Sequence, residues 1–266
     1  MAVNGCTASS RQLATRWFTA TGALMSASSI RRRLLHRGLR ARVPLYKIPL
    51  TANHRRLRLQ WAHEHRTWQA DWHQVVFSDE SRFILWDHDG RIRGRRYAGE
   101  RCLPECVIER HNCLTPGVMV WGAISCQRQS NLVRIEGNLN SNRYVREVLQ
   151  PEVDPFLQVL HAAVFQQDNA RPYVAKTARD FCSAQHMQLL PWPAYSPDMS
   201  PIGHVWDLVG RCLARDPRPA ALKAELLLRI QAIWNSLPQA DIQNLFNSMP
   251  RRIATLVAVR SGYTKY

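Results

Sequence analysis

Val75-Val76-Phe77-Ser78-Asp79-Glu80-Ser81 and Val164-Phe165-Gln166-Gln167-Asp168-Asn169-Ala170-Arg171-Pro172 are two apolar runs that each close on an aspartate. Short runs of β-branched and aromatic residues ending in polar ones read as strands. A carboxylate at a strand end is held by a rigid sheet and offers the oxygen ligands that hard divalent cations take, and two such cations can clamp the attacking and leaving oxygens of a phosphoryl group. A lone aspartate in that position is more often a turn former or helix cap, so the two together carry a reading that neither carries alone. A third stretch, Tyr195-Ser196-Pro197-Asp198-Met199-Ser200-Pro201-Ile202-Gly203-His204-Val205-Trp206-Asp207, reads as a Pro-punctuated loop entering a helix. A third carboxylate at that helix start would complete the site.

Outward from the aspartates, further β-like runs lie at Phe83–Trp86, Val118–Ile124, Leu132–Ile135 and Met187–Leu190, with a turn at Asp87–Gly90. Helical spacing covers Asn140–Leu160, which Pro151 and Pro155 must kink or divide, and also Val174–His186, Ile202–Leu213, Leu222–Leu237 and Asp241–Met249. Strands first, then strands alternating with helices, predict a mixed sheet with helices on its faces.

The first quarter is different. Residues 1–66 hold 13 Arg and Lys against one acid, Glu64, a net of +12 out of +16 for the chain. Ser9 or Ser10 can cap a helix carrying Leu13, Trp17 and Phe18, Thr21-Gly22 marks a turn, and a second helix from near Ser26 points Ile30 and Leu34 inward and stops at Gly38. Helix, turn and basic helix make the helix-turn-helix plan, whose second helix enters the major groove. Arg31, Arg32, Arg33, Arg37, Arg40 and Arg42 are the candidate DNA contacts. From Thr51 a linker helix turns Leu57, Trp61, His65 and Trp68 to one face while Arg55, Arg56, Arg58 and Arg66 decorate the rest.

Composition bounds the function. A chain of 266 residues, 45% hydrophobic with nine Trp, can bury a sizeable core, and a pI near 10.3 points to a polyanion, nucleic acid before membrane. No apolar run reaches the roughly 18 residues of a membrane span, and no secretory leader pattern opens the chain, so a soluble intracellular protein is expected. Seven cysteines, odd in number and scattered, argue for reduced thiols. Cys102, Cys106, His111 and Cys113 could together ligate zinc, but their spacing is not that of a common finger, and ordinary thiols are the favoured reading.

The segments Phe77–Phe83, Val118–Gly122, Gln166–Pro172, Ser196–Asp198 and His204–Trp206 together resemble the catalytic domain of mariner-superfamily DNA transposases of the Tc-type branch. Residues through Gly38–Arg42, Thr51 and His54 resemble the second helix-turn-helix of that family's paired-like region, and the tail from Arg251 to Tyr266 resembles its closing segment. The resemblance implies an α/β, RNase H-like mixed sheet flanked by helices, preceded by a small all-α helix-turn-helix segment. The division would be 1–50 for DNA binding, 51–70 for the linker helix and 71–266 for the catalytic domain. It implies Asp79 and Asp168 as catalytic metal ligands, Mg2+ or Mn2+ as the metal, and Asn169 and Arg171 as phosphate-positioning groups. It also implies double-stranded DNA, both transposon ends and target, as substrate, a homodimer, and the nucleus as the place of action. Three departures stand out. The family's third carboxylate falls 34 intervening residues after Asp168, in a pattern Ser-Pro-Asp-Leu-Asn-Pro-Ile-Glu-His, and position 203 here is glycine. Tyr173 stands where the family has histidine, and the first helix-turn-helix has no counterpart, as in a truncated copy. Among neighbours, His204 would point elsewhere, Asp207 reaches only through a water, and Asp198 reads as the cap of the following helix. The alternative function is a catalytically inactive remnant that only binds DNA; a generic RNase H-like nuclease would explain neither the basic arm nor the tail.

Overall fold

The computed structural model describes residues 8–42, 45–46, 49–85, 94–96, 107–108, 116–216, 220–262 and 264. The expected turn at Asp87–Gly90 and the Cys102, Cys106, His111, Cys113 cluster lie outside them. In chain order the elements are α1 (Ser10–Thr21), α2 (Ala27–His36), β1 (Arg40–Arg42), β2 (Leu45–Tyr46), α3 (Ala52–Glu64), β3 (Val75–Ile84), β4 (Gly94–Arg96), β5 (Val107–Ile108), β6 (Gly117–Ile124) and β7 (Val133–Ile135). There follow α4 (Ser141–Tyr144), α5 (Asp154–Gln158), β8 (Val164–Gln166), α6 (Arg171–Val174), α7 (Lys176–Ala184), β9 (Gln188–Leu189), α8 (Ile202–Arg215), α9 (Lys223–Asn235), α10 (Gln239–Asn247) and α11 (Met249–Ala258). The chain forms two compact units, one of Met1–Pro49 with His88–Cys113, the other of Leu50–Asp87 with Leu114–Tyr266.

In the first unit Ser9 caps α1 through a capping box with Gln12, and Gly22 ends it in the left-handed region at φ 68°. Ser26 caps α2, and Gly38, at φ 77°, follows its end. Leu13 and Ile30 are buried against each other with Trp17 and Leu34 beside them. Phe18, expected on the inner face, is 47% exposed, because a two-helix core offers only a narrow stripe and Leu13 and Trp17 fill it. The exit Arg40–Arg42 is strand β1, antiparallel to β4 with Arg40 opposite Arg96; β2 pairs parallel with β5.

The second unit is built on a five-stranded sheet in the order β7-β6-β3-β8-β9. β6 is antiparallel to both β3 and β7, whereas β3, β8 and β9 run parallel, so the expected mixed sheet is present. The run Val75–Phe77 and the start of the second run, Phe83–Ile84, belong to one continuous strand: Ser78–Arg82 stay in register with β6 despite being polar, since the ladder needs their backbone and not their side chains. Alternation divides β3 between two cores. Val75, Phe77 and Phe83 join α8, α9, α10 and α11 on one face, and Val76 joins Trp121, Tyr144, Val148 and Phe165 on the other. Pro151 lies within a π-helical run, Val145–Val153, that connects α4 to α5, which is how the proline without an N–H is accommodated. α3 starts at a Thr51 cap and buries Trp61 at the centre of an aromatic cluster with His65, Trp68, Trp72 and Trp192. No helix of the described residues is long and apolar enough to cross a membrane.

Candidate active site

β3 and β8 lie side by side, parallel, with Phe77 opposite Gln166. Two residues further along each chain stand Asp79 and Asp168, where β8 has ended and β3 continues alone beside β6. Ser78 Oγ donates to the Gln166 carbonyl at 2.8 Å and ties the chains together at that fork. Asp168 Oδ1 accepts the Ala170 backbone N–H at 2.7 Å, so this carboxylate also forms the turn into α6. Desolvation raises its pKa, and the Ala170 bond only partly offsets the rise.

A carboxyl that the sequence reading passed over sits beside them. Glu80 lines the same small hollow as Asp79, Asp168, Ser78, Trp121, Tyr144, Gln167 and Tyr173. It pairs opposite Trp121 and therefore belongs to the sheet face opposite Asp79. Tyr173 donates its hydroxyl to Glu80 Oε1. Burial pushes the Glu80 pKa up to about 8; the Tyr173 bond works against this and the Asp79 and Asp168 charges add to it. Tyr173 packs on the Tyr144 ring at 4.5 Å, and its own pKa is raised by burial and then by the Glu80 charge. Tyr144 donates to Gln167 Oε1 at 2.8 Å. The adjacent acids Asp79-Glu80 were the signal available in the sequence.

Position 203 is exposed on α8, the helix that packs on the other side of the sheet. Ile202, Val205, Trp206 and Val209 of α8 are buried in the core that covers the Asp79 face of β3. Trp206 stacks on Trp234 at 4.9 Å and meets Phe83 edge-on at 6.2 Å. A Cβ at Gly122, the residue opposite Asp79, would come to 3.0 Å from both tryptophans, so glycine lets Trp206 of α8 and Trp234 of α9 lie close on the sheet there. Further along α8, Gly210, Leu213 and Ala214 share a cavity with Phe83, Ile84 and Leu85. α8 thus runs in the direction of β3, and its first turn, with Gly203, lies toward the Asp79 end. A Cβ on Gly203 would meet only the Pro197 carbonyl oxygen, at 4.0 Å.

Other expected residues have different partners from those the sequence suggested. Asp198 does not cap α8, whose N-cap, Pro201, has no side-chain hydrogen bond; it takes the guanidinium of Arg58 at 2.8 and 2.9 Å. Arg58, expected among the exposed basic residues of the linker helix, is fully buried. Asp207 pairs with Arg211 at 3.3 Å. Asn169 Nδ2 donates to the Trp192 carbonyl at 2.7 Å, while Arg171 is exposed as the first residue of α6. In the first unit Arg31, Arg32, Arg33, Arg37 and Arg40 are all exposed, and Arg42 ends β1. Among the described residues no three His, Cys, Asp or Glu side chains converge closely enough to form a metal cage unaided. Two carboxylates at one hollow, Asp79 on β3 and Asp168 just past the end of β8, offer the hard oxygen ligands that a divalent cation takes.

A family model described as transposase matches residues 5–67, and one described as DDE superfamily endonuclease matches residues 74–223. The Tcb2 transposable-element transposase of Caenorhabditis briggsae is 35% identical over 245 residues, spanning 91% of this chain and 88% of the relative. In the Mos1 strand transfer complex the similar chain superimposes with a TM-score of 0.67 at 17% identity, over 97% of this chain and 75% of that one. The Mos1 transposase catalytic domain solved with raltegravir and Mn gives 0.63 at 16% identity, over 82% of this chain and all of that one. With its helix-turn-helix segment and its DDE-type catalytic fold, the chain belongs to the Tc1/mariner-type transposases.

Proposed function

We propose that this transposase grips the terminal inverted repeats of its transposon as double-stranded DNA through the arginines of α2 and β1, and that Asp79 and Asp168 hold Mg2+ or Mn2+ at the scissile phosphate. The observation that carries the reading is the register of β3 and β8, which sets the two aspartates level at one hollow. When bound, such an ion lowers the pKa of the attacking hydroxyl and stabilises the leaving oxygen. Asp79 and Asp168 would supply its carboxylate oxygens, Glu80 lines the same hollow with the Tyr173 hydroxyl donated to it, and Arg171 is exposed to meet a phosphate. The Mos1 structure with Mn supports the choice of metal. Action as a homodimer and in the nucleus completes the proposal, on the ground that two transposon ends in a chromosome must be joined in one event.

Gly203 favours a second reading, a chain that binds transposon ends and cuts them slowly or not at all, since the third carboxylate position is bare. Nicking of matched terminal-repeat DNA in Mg2+ by the native chain, by Gly203→Glu and by Gly203→Glu with Asp168→Asn separates the two. The proposal expects activity in Gly203→Glu that Asp168→Asn abolishes. Cleavage that survives Asp168→Asn would remove the aspartates from the chemistry.

A further inference from the structure

We infer that Arg58 is a positioning residue that sets position 203 relative to Asp168, an inference resting on the metal site proposed above. The connection runs through the loop between β9 and α8. At its near end Asn169, next to Asp168, donates to the Trp192 carbonyl at 2.7 Å. At its far end Arg58 Nη1 donates to the Tyr195 carbonyl at 3.0 Å, and both Nη atoms hold the Asp198 carboxylate, which also accepts the Thr264 hydroxyl at 2.9 Å. Between Tyr195 and Asp198 lies Pro197, whose carbonyl oxygen is the atom a side chain at position 203 first meets. Arg58 therefore grips, on both sides, the short segment that floors position 203.

The energetics point the same way. A fully buried guanidinium is expensive to desolvate, and a buried ion pair is commonly no more stabilising than apolar residues of the same volume. What a bidentate pair adds is a fixed geometry. Here that geometry includes Tyr195 at φ 56°, a conformation costly for a tyrosine, held by the Arg58 bond to its carbonyl and by His54, whose ring centroid lies 4.3 Å from its own. The linker helix α3 is on this view a part of the metal site's framework as well as a connection to the DNA-binding segment.

The test measures Mn2+ affinity by electron paramagnetic resonance in four full-length chains: native, Gly203→Glu, Arg58→Met and the double variant. Gly203→Glu is expected to bind Mn2+ more tightly than native. Adding Arg58→Met is expected to remove most of that gain, about tenfold in affinity, the scale on which outer partners of metal ligands act. In the native background, where position 203 carries no side chain to be placed, Arg58→Met is expected to lower Mn2+ affinity by much less than it does in Gly203→Glu. Arg58→Lys, which keeps the charge, should restore part of the gain. A gain that persists in the double variant overturns the inference alone, as does an equal loss in both backgrounds, which is the mark of a merely structural role. No gain from Gly203→Glu overturns position 203 as a ligand site and the inference with it. Should Arg58→Met not fold, Thr264→Val, which loosens Asp198 without touching the ion pair, is measured in its place, with loss of the gain supporting the inference and full retention overturning it.

Discussion

Gly203 and Glu80 show how a single position changes what two aspartates can do. At Gly203 the backbone is helical and the space beyond it open, so a glutamate there meets no steric cost, gains about 1 kcal/mol of helix propensity over glycine and places an acid in the first turn of α8. Gly203→Glu is therefore expected to raise the melting temperature slightly while raising nicking by orders of magnitude; a fall in stability measured by thermal unfolding would show that the opening is not as the geometry has it. Glu80 acts through pH. Its folded pKa of about 8 lies above the ordinary carboxyl value of 4.5, so the folded state binds the extra proton. The stability this contributes is complete below about 4.5 and is lost as pH rises through 8. Urea midpoints of the native chain are expected to fall across that window more steeply than those of Glu80→Gln. Equal slopes for the two chains would place the proton elsewhere.

At the scale of elements, β3 and α3 show what could be read from the sequence and what could not. The apolar runs around Asp79 and Asp168 announced two strands, and their shared motif announced the fold, because alternation and strand-end polarity are local signals. That β3 continues through Ser78–Arg82 was not legible: polar residues inside a strand are tolerated when a neighbour such as β6 supplies the ladder, and that neighbour is some 40 residues away in the chain. The burial of Arg58 was equally hidden, since an arginine on a helix face is ordinarily solvated, and only its partner Asp198, 140 residues on, makes burial possible. Two tests belong here. Arg58→Met leaves Asp198 without its cation and is expected to cost about 3–5 kcal/mol in chemical denaturation, whereas pairing it with Asp198→Leu should return much of that loss. Gly122→Ala puts a methyl against Leu132, Trp206 and Trp234 at 3.0 Å and is expected to cost about 1–3 kcal/mol by overpacking. Wild-type stability in Gly122→Ala would mean that α8 and α9 do not close on the sheet at that point.

For the molecule as a whole, charge separates recognition from chemistry. Of a net +16, +12 falls in residues 1–66, and Arg31, Arg32, Arg33, Arg37 and Arg40 are exposed, with no acidic residue between them in the chain. Arginines in such an array neutralise phosphates and release counterions, so duplex binding is expected to weaken with salt at a log–log slope of about −0.9 per phosphate contact. Arg31→Ala with Arg33→Ala should reduce the magnitude of that slope by about two contacts' worth while lowering affinity on matched and unmatched DNA alike. Asp79 and Asp168 are carboxylates in the other compact unit, and the proposed function gives them a role in the chemistry at the phosphate. Chelation of divalent ions, or Asp168→Asn, is accordingly expected to leave the affinity of the full chain for terminal-repeat DNA unchanged while abolishing any cleavage. A fluorescence-anisotropy titration over a range of salt concentrations, with and without chelator, measures both expectations. A slope that is flat, or an affinity that collapses on chelation, would show that the metal site and not the basic segment holds the DNA.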